Sequence, residues 1–305
     1  MLRVLKGALV AVAFCLTGGT ASSAPILPLL CSDFASANDL MTAASQQDLN
    51  CMTTPDEVEF KVYDISLCTN RPEVGSVGSC TSIFNSASGK EVLVSSSTSV
   101  SLDPGVSLEN GDYSYVSLTL DERIGVKVAF DVGFAIKGWG STQGNYCWSN
   151  GSDVDTYGQN AAFSGNVRCG SLQDSLSQAA MSYESINVFD GTVPNTVSSS
   201  LNDEPSRDGG TFDIRLINST GQLASDQDIN TDVYVDTDKL FVIIELPTVQ
   251  RVDENSTNID VGFKVTDLVN MKLSDPSQPS INCSLQMVCF KDATINSISF
   301  YATIR

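Results

Sequence analysis

The chain has 305 residues, with 17 Lys and Arg against 36 Asp and Glu, a formal net charge of −19, and no histidine. So acidic a surface repels nucleic acid and anionic membranes. Without histidine, neither a Ser-His-Asp nor a Cys-His nucleophile system can be built, nor a histidine-ligated metal site.

Residues 1–24 read as a secretory signal: Arg3 and Lys6 supply a basic start, residues 8–16 an apolar run, and residues 19–24 a small-residue cleavage region. The apolar run is too short to span a bilayer, and no later segment reads as a membrane span. Removing Arg3 and Lys6 leaves 15 basic against 36 acidic residues, a net of −21. The expectation is a secreted protein, whether extracellular, on the cell surface or periplasmic. Of the nine cysteines, eight lie beyond the signal: Cys31, Cys51, Cys68, Cys80, Cys147, Cys169, Cys283 and Cys289. An even number in an exported chain reads as four disulfides, and sequence order pairs 31 with 51, 68 with 80, 147 with 169, and 283 with 289. Zinc would need close C-x-x-C pairs or histidines, and there are none.

Residues 25–55 form a short helical N-terminal segment in this reading. Over residues 31–50, Phe34, Leu40, Met41, Ala44 and Leu49 can share a helix face, with Ser32 or Asp33 as the cap. Residues 56–137 are a first β-sandwich part. Val58, Phe60 and Val62 alternate with polar neighbours, and residues 113–120 do the same. The most regular stretch is 124–136, where Ile124, Val126, Val128, Phe130, Val132, Phe134 and Ile136 occupy every second position. A period of two is that of a pleated strand, here spanning about 43 Å at ~3.3 Å per residue, with a bend at Gly125 or Gly133. Asp121-Glu122-Arg123 is expected to turn residues 113–120 back into this run as a hairpin.

Residues 138–210 are a Gly/Ser/Asn-rich stapled loop and linker. Within them, 171–185 can form a short amphipathic helix through Leu172, Leu176, Ala179 and Ala180, and 202–210 read as an exposed linker. Residues 211–305 are a second β-sandwich part. Its LFVIIEL run, 240–246, suits a strand covered on both faces. The fold class is therefore all-β: an antiparallel β-sandwich, of one part or two packed parts, with a short N-terminal helix and a disulfide-stapled loop insertion.

Leu108-Glu-Asn-Gly111-Asp-Tyr113, followed by alternating VSLTL, resembles the L-x-x-G-x-Y strand entry of prealbumin-like (transthyretin-like) domains of secreted bacterial proteins. Asn110-Gly111 would take the positive φ of a tight turn, and Tyr113 would tuck over the corner. LFVIIEL with NIDVGFKVTDL also looks like the closing strands of such sandwiches. The resemblance implies a β-sandwich of surface or adhesive character and no catalytic residue.

The binding candidates lie in residues 138–170, where Trp139, Tyr146, Trp148 and Tyr157 surround the Cys147–Cys169 staple. Sugar C–H faces stack on such rings, and Asn145, Asn150 and Asp153 offer directional partners to hydroxyls. Packing of the tryptophans over an open sheet end is the competing reading. Asp226, Asp228, Asn230 and Asp232 alternate as calcium ligands do, although Thr231 and Thr237 break the helical calcium-loop pattern. Calcium is the only cofactor suggested, and a solvated acidic loop is the alternative. The functional expectation is a non-enzymatic structural or adhesive protein at or outside the cell surface. The alternatives are a carbohydrate-binding module using 138–170 and a carboxylate-dependent glycoside hydrolase. Its partner would be a glycan or a surface protein, with self-association at high salt and neither nucleic-acid binding nor membrane insertion.

Overall fold

The computed structural model describes residues 30–31, 49–76, 78–95, 108–138, 143–151, 167–190, 197–205, 211–228, 230, 233–253, 259–266, 268–274, 289–295 and 299–304. They form an all-β fold in which almost every strand pairing is antiparallel, with one short helix among the described residues.

The larger sheet is built around β2 (Glu57–Cys68), β3 (Cys80–Ser95) and β4 (Gly111–Lys127), joined by β8 (Ser182–Ser185), β11 (Ser200–Pro205), β12 (Thr211–Ile217) and β15 (Lys239–Val252). Its order is β11-β12-β15-β4-β2-β3, and β8 pairs with β4 beyond the start of β15. The second sheet has the order β1-β17-β18-β5-β6-β7. These strands are β1 (Leu49–Thr53), β5 (Ala129–Lys137), β6 (Gln143–Ser149), β7 (Val167–Gly170), β17 (Val269–Ser274) and β18 (Cys289–Ile295). A smaller ladder joins β16 (Ile259–Lys264) to β19 (Ser299–Ile304). Strands from residues 56–137 and from 211–305 thus share both large sheets.

One apolar cluster fills the space between the sheets. The alternate residues Val58, Phe60 and Val62 of β2 and Val116, Leu118, Leu120, Ile124 and Val126 of β4 enter it from one side. Val132 and Ile136 of β5 and Met271 of β17 enter from the other. Glu57, Glu59 and Lys61, the intervening residues of β2, stay partly exposed, as the two-residue period requires.

The run 124–136 is two strands rather than one. β4 runs on through Asp121-Glu122-Arg123 with a bulge against β2, where Phe60 pairs with Ile124 and Val62 with Leu120, so there is no hairpin there, and at Val128 the chain crosses into the second sheet as β5. Alternation survives the corner because both strands present even-numbered residues to the same core, as strands that switch sheets in a sandwich can. Two of the three charged residues find lateral company. Asp121 accepts the Tyr63 hydroxyl at 3.1 Å, and the Arg123 guanidinium lies 4.3 Å from the Tyr183 ring centroid. Of the two expected bends, Gly133 has a φ of +75° beside a register shift in the β5–β6 pairing. Gly125 remains in register beneath the Tyr183 ring.

LFVIIEL is covered on both faces. Leu240, Val242, Ile244 and Leu246 enter the main core, while Phe241 and Ile243 join Ile217 in a second cluster on the outer face. Val74, from the loop between Cys68 and Cys80, packs on that cluster, and Arg71 of the same loop pairs with buried Asp213, which Arg215 also reaches at 3.3 Å. β15 lies between β12 and β4, while the NIDVGFK stretch pairs with β19. The two are not neighbours in one ladder.

Among the described residues three disulfides are present: Cys31–Cys51, Cys68–Cys80 and Cys147–Cys169. They are bonds of a chain folded in an oxidising compartment. The expected partner of Cys289, Cys283, lies outside the described residues. So do residues 32–48 of the expected N-terminal helix, whose end, Leu49 and Asn50, is the start of strand β1. Gly111 opens β4 without a positive φ, contrary to expectation. Tyr113 does tuck in: its ring is buried and its hydroxyl donates to the Glu109 carbonyl at 3.0 Å. The expected linker 202–210 begins as strand β11. No helix among the described residues is long and apolar enough to cross a membrane.

Candidate functional site on the outer face of strands β5 to β7

β6 runs between β5 and β7 with Ala129 opposite Trp148 and Asp131 opposite Tyr146 on one side, and with Arg168 opposite Trp148 and Gly170 opposite Tyr146 on the other. Directly opposed residues share a face. Tyr146 and Trp148 therefore stand on the same outer face, roughly 6.6 Å apart along the strand at ~3.3 Å per residue. Cys147, between them, points inward and is bonded to its directly opposed partner Cys169. The staple thus sits in the core and fixes the strand pair that carries the aromatic residues.

Two glycines pave this surface. A Cβ on Gly144 would lie 1.9 Å from the Gly170 carbonyl oxygen, and one on Gly170 would lie 3.0 Å from Trp148 Cη2 and 3.1 Å from Asp174 Oδ2. Above them lies helix α1 (Leu172–Gln178), packed on β6 and β7. Its start is a capping box: Asp174 N–H donates to the Ser171 hydroxyl at 3.2 Å, and Ser171 N–H donates to Asp174 Oδ2 at 3.1 Å. The Ser171 hydroxyl also donates to Asp174 Oδ2 at 2.6 Å, and this bond first, then the one from the Ser171 N–H, holds the Asp174 carboxyl below the usual carboxylate range.

Tyr146 is partly exposed, and the Asp131 carboxylate beside it, by its charge and then by its hydrogen bond, pushes the phenol up. Trp148 is different. It is 2 % exposed, and its Nε1–H has no hydrogen-bond acceptor among the described residues. The expectation that Trp148 offers an open ring face is corrected: the ring is buried, with Gly170 against its Cη2 and Cζ3 and Asp174 of α1 beside Gly170. Trp139 and Tyr157 lie outside the described residues, so of the four aromatic candidates the structure brings together Tyr146 and Trp148.

The acidic loop is engaged in its own turns. Asp228 accepts the Asn230 backbone and side-chain N–H groups at 2.9 and 3.0 Å. Asp236 accepts the backbone N–H of Ser225 and of Asp226, while Asp232 lies outside the described residues. Among the described residues no group of three or more His, Cys, Asp or Glu side chains could hold a metal ion.

Sequence reasoning missed two groups. The Ser171-x-x-Asp174 box was legible as a helix start. Glu122 was hidden within the expected turn; burial, with the charges of Asp121 and Asp238, pushes its carboxyl up to about 7. Comparison with family models, with curated proteins and with solved structures finds nothing that matches this chain.

Proposed function

We propose that the protein is an exported, non-enzymatic β-sandwich with a structural or adhesive role at or outside the cell surface. The observation that carries the reading is the stapling: two of the three disulfides, Cys68–Cys80 and Cys147–Cys169, join directly opposed residues of neighbouring strands. Such bonds brace faces that are to hold their shape, as a surface that grips a partner must. With no histidine in the chain, the chemistry of binding is better provided for than the chemistry of turnover. The test is retention of the oxidised protein under flow on a panel of immobilised glycans and matrix proteins. Slow release from at least one surface is expected, and release at the buffer rate from every surface contradicts the proposal.

A second reading, carbohydrate binding, is favoured by the pairing of Tyr146 and Trp148 on one outer face. A glycan array probed with wild type and Tyr146→Ala tests it. A signal that falls at least tenfold in the variant supports this reading, and a signal indifferent to Tyr146 removes it.

A further inference from the structure

Helix α1 is built the wrong way round for a permanent part of the fold. Its one buried residue is Ser175, while Leu172 and Leu176, which share a face at i and i+4, are 48 % and 72 % exposed. A surface helix ordinarily gains its stability by burying an apolar stripe. Seven residues are too few to hold a helix in water without such support, since isolated helices shorter than about 12 residues are marginal. What holds α1 is polar: the Ser171–Asp174 capping box at one end and the Ala179 N–H to Ser175 carbonyl bond at 3.0 Å near the other.

Beneath this weakly anchored helix lies a side chain that the closed arrangement leaves unsatisfied. The Trp148 indole is 2 % exposed and its N–H has no acceptor among the described residues. A buried donor without a partner is costly and rare, and it calls for a physical reason. Opening α1 supplies one, because the N–H then meets water or a ligand's hydroxyl oxygen.

We propose that α1 is a cover, hinged between Gly170 and Ala179, over a carbohydrate site formed by Trp148 and Tyr146; this rests on the carbohydrate reading above. With the cover open, the two rings stand in line on β6, one to stack on a sugar's C–H face and the next to extend the contact. The indole N–H donates to a ring or hydroxyl oxygen, and the Asp131 carboxylate beside Tyr146 accepts from a hydroxyl. Because only the open fraction binds, the measured affinity is the intrinsic affinity reduced by that fraction. Any change that loosens α1 without touching the rings should therefore tighten binding.

The experiment uses the full oxidised chain with Trp139→Phe, which leaves Trp148 as its only tryptophan. Acrylamide quenching is measured with and without Asp174→Ala, and hexaoses of cellulose, chitin, xylan, laminarin and amylose serve as probes. Loss of the Asp174 side of the capping box should raise the quenching constant about fivefold, the factor given by ~1 kcal/mol for a capping interaction. It should tighten binding of at least one probe by a similar factor, and Trp148→Phe should weaken that binding at least tenfold. Quenching that Asp174→Ala leaves unchanged overturns the cover, even if a probe binds through Tyr146. Quenching that rises while no probe binds overturns the carbohydrate assignment instead.

Discussion

Ser149 joins three pieces of backbone at the point where the chain leaves one sheet for the other. Its hydroxyl accepts the Val128 N–H at 3.1 Å and donates to the Ala180 carbonyl at 2.6 Å, and its own N–H reaches the Val128 carbonyl at 3.0 Å. The residue is fully buried. Ser149→Ala leaves two backbone groups without this partner and is expected to cost about 1–3 kcal/mol, read as a fall in the urea midpoint. Glu122 makes a different demand. Its folded pKa is about 7 against an ordinary 4.5, so between those values the folded chain holds a proton that the unfolded chain has released. The stability it contributes is therefore fully present below pH 4.5 and is lost as pH rises through about 7. The charges of Asp121 and Asp238 act on it as well, so the comparison must isolate the one carboxyl. Urea midpoints of wild type should fall from pH 5 to pH 8 by more than those of Glu122→Gln. Equal slopes for the two proteins contradict this.

The alternating strands β2 and β4 were legible because half-buried strands write their two faces into the sequence. So was β15, whose unbroken apolar run matches its two buried faces. The corner at Val128 was not legible. The period of two runs through it unchanged, because both sheets look inward on one core. Nor was the orientation of α1, since Leu172 and Leu176 occupy helix spacing in either orientation and only packing decides which face is covered. The aromatic site was half legible: Tyr146 and Trp148 share a face by simple parity, but the burial of Trp148 depends on a helix twenty-odd residues away. At this scale the glycines give the sharpest test. A Cβ at Gly144 meets backbone atoms of Gly170, whereas one at Gly78 meets nothing within 4 Å. Gly144→Ala should force β6 and β7 apart, lowering stability by about 1–3 kcal/mol or more, while Gly78→Ala should leave the thermal midpoint within a degree or two. Calorimetry of the two variants checks the contrast.

At the scale of the whole molecule, charge and topology set the terms of assembly. Of the two strands that hold the long alternating run, β4 is flanked on both sides and offers no free ladder edge to a neighbouring copy, whereas β5 is paired by β6 on one side and by β18 at Lys137 alone on the other. The outermost strands among the described residues are β11 and β3 in one sheet and β1 and β7 in the other. A net charge of −19 opposes association of like chains, and salt screens it, the Debye length falling from ~8 Å at 0.15 M to ~3 Å at 1 M. Light scattering should give a monomer at low salt, with self-association strengthening as salt or divalent cation is raised. A monomeric mass throughout the series would count against a polymeric structural role. The claim that this stapled sandwich binds without transforming its partner is tested most directly on the partner itself. The surface on which the protein is best retained is incubated with it overnight, washed free of protein, and its attached glycan or polypeptide analysed by mass spectrometry. A partner of unchanged mass is expected; cleavage or modification that depends on the protein would contradict a purely binding role.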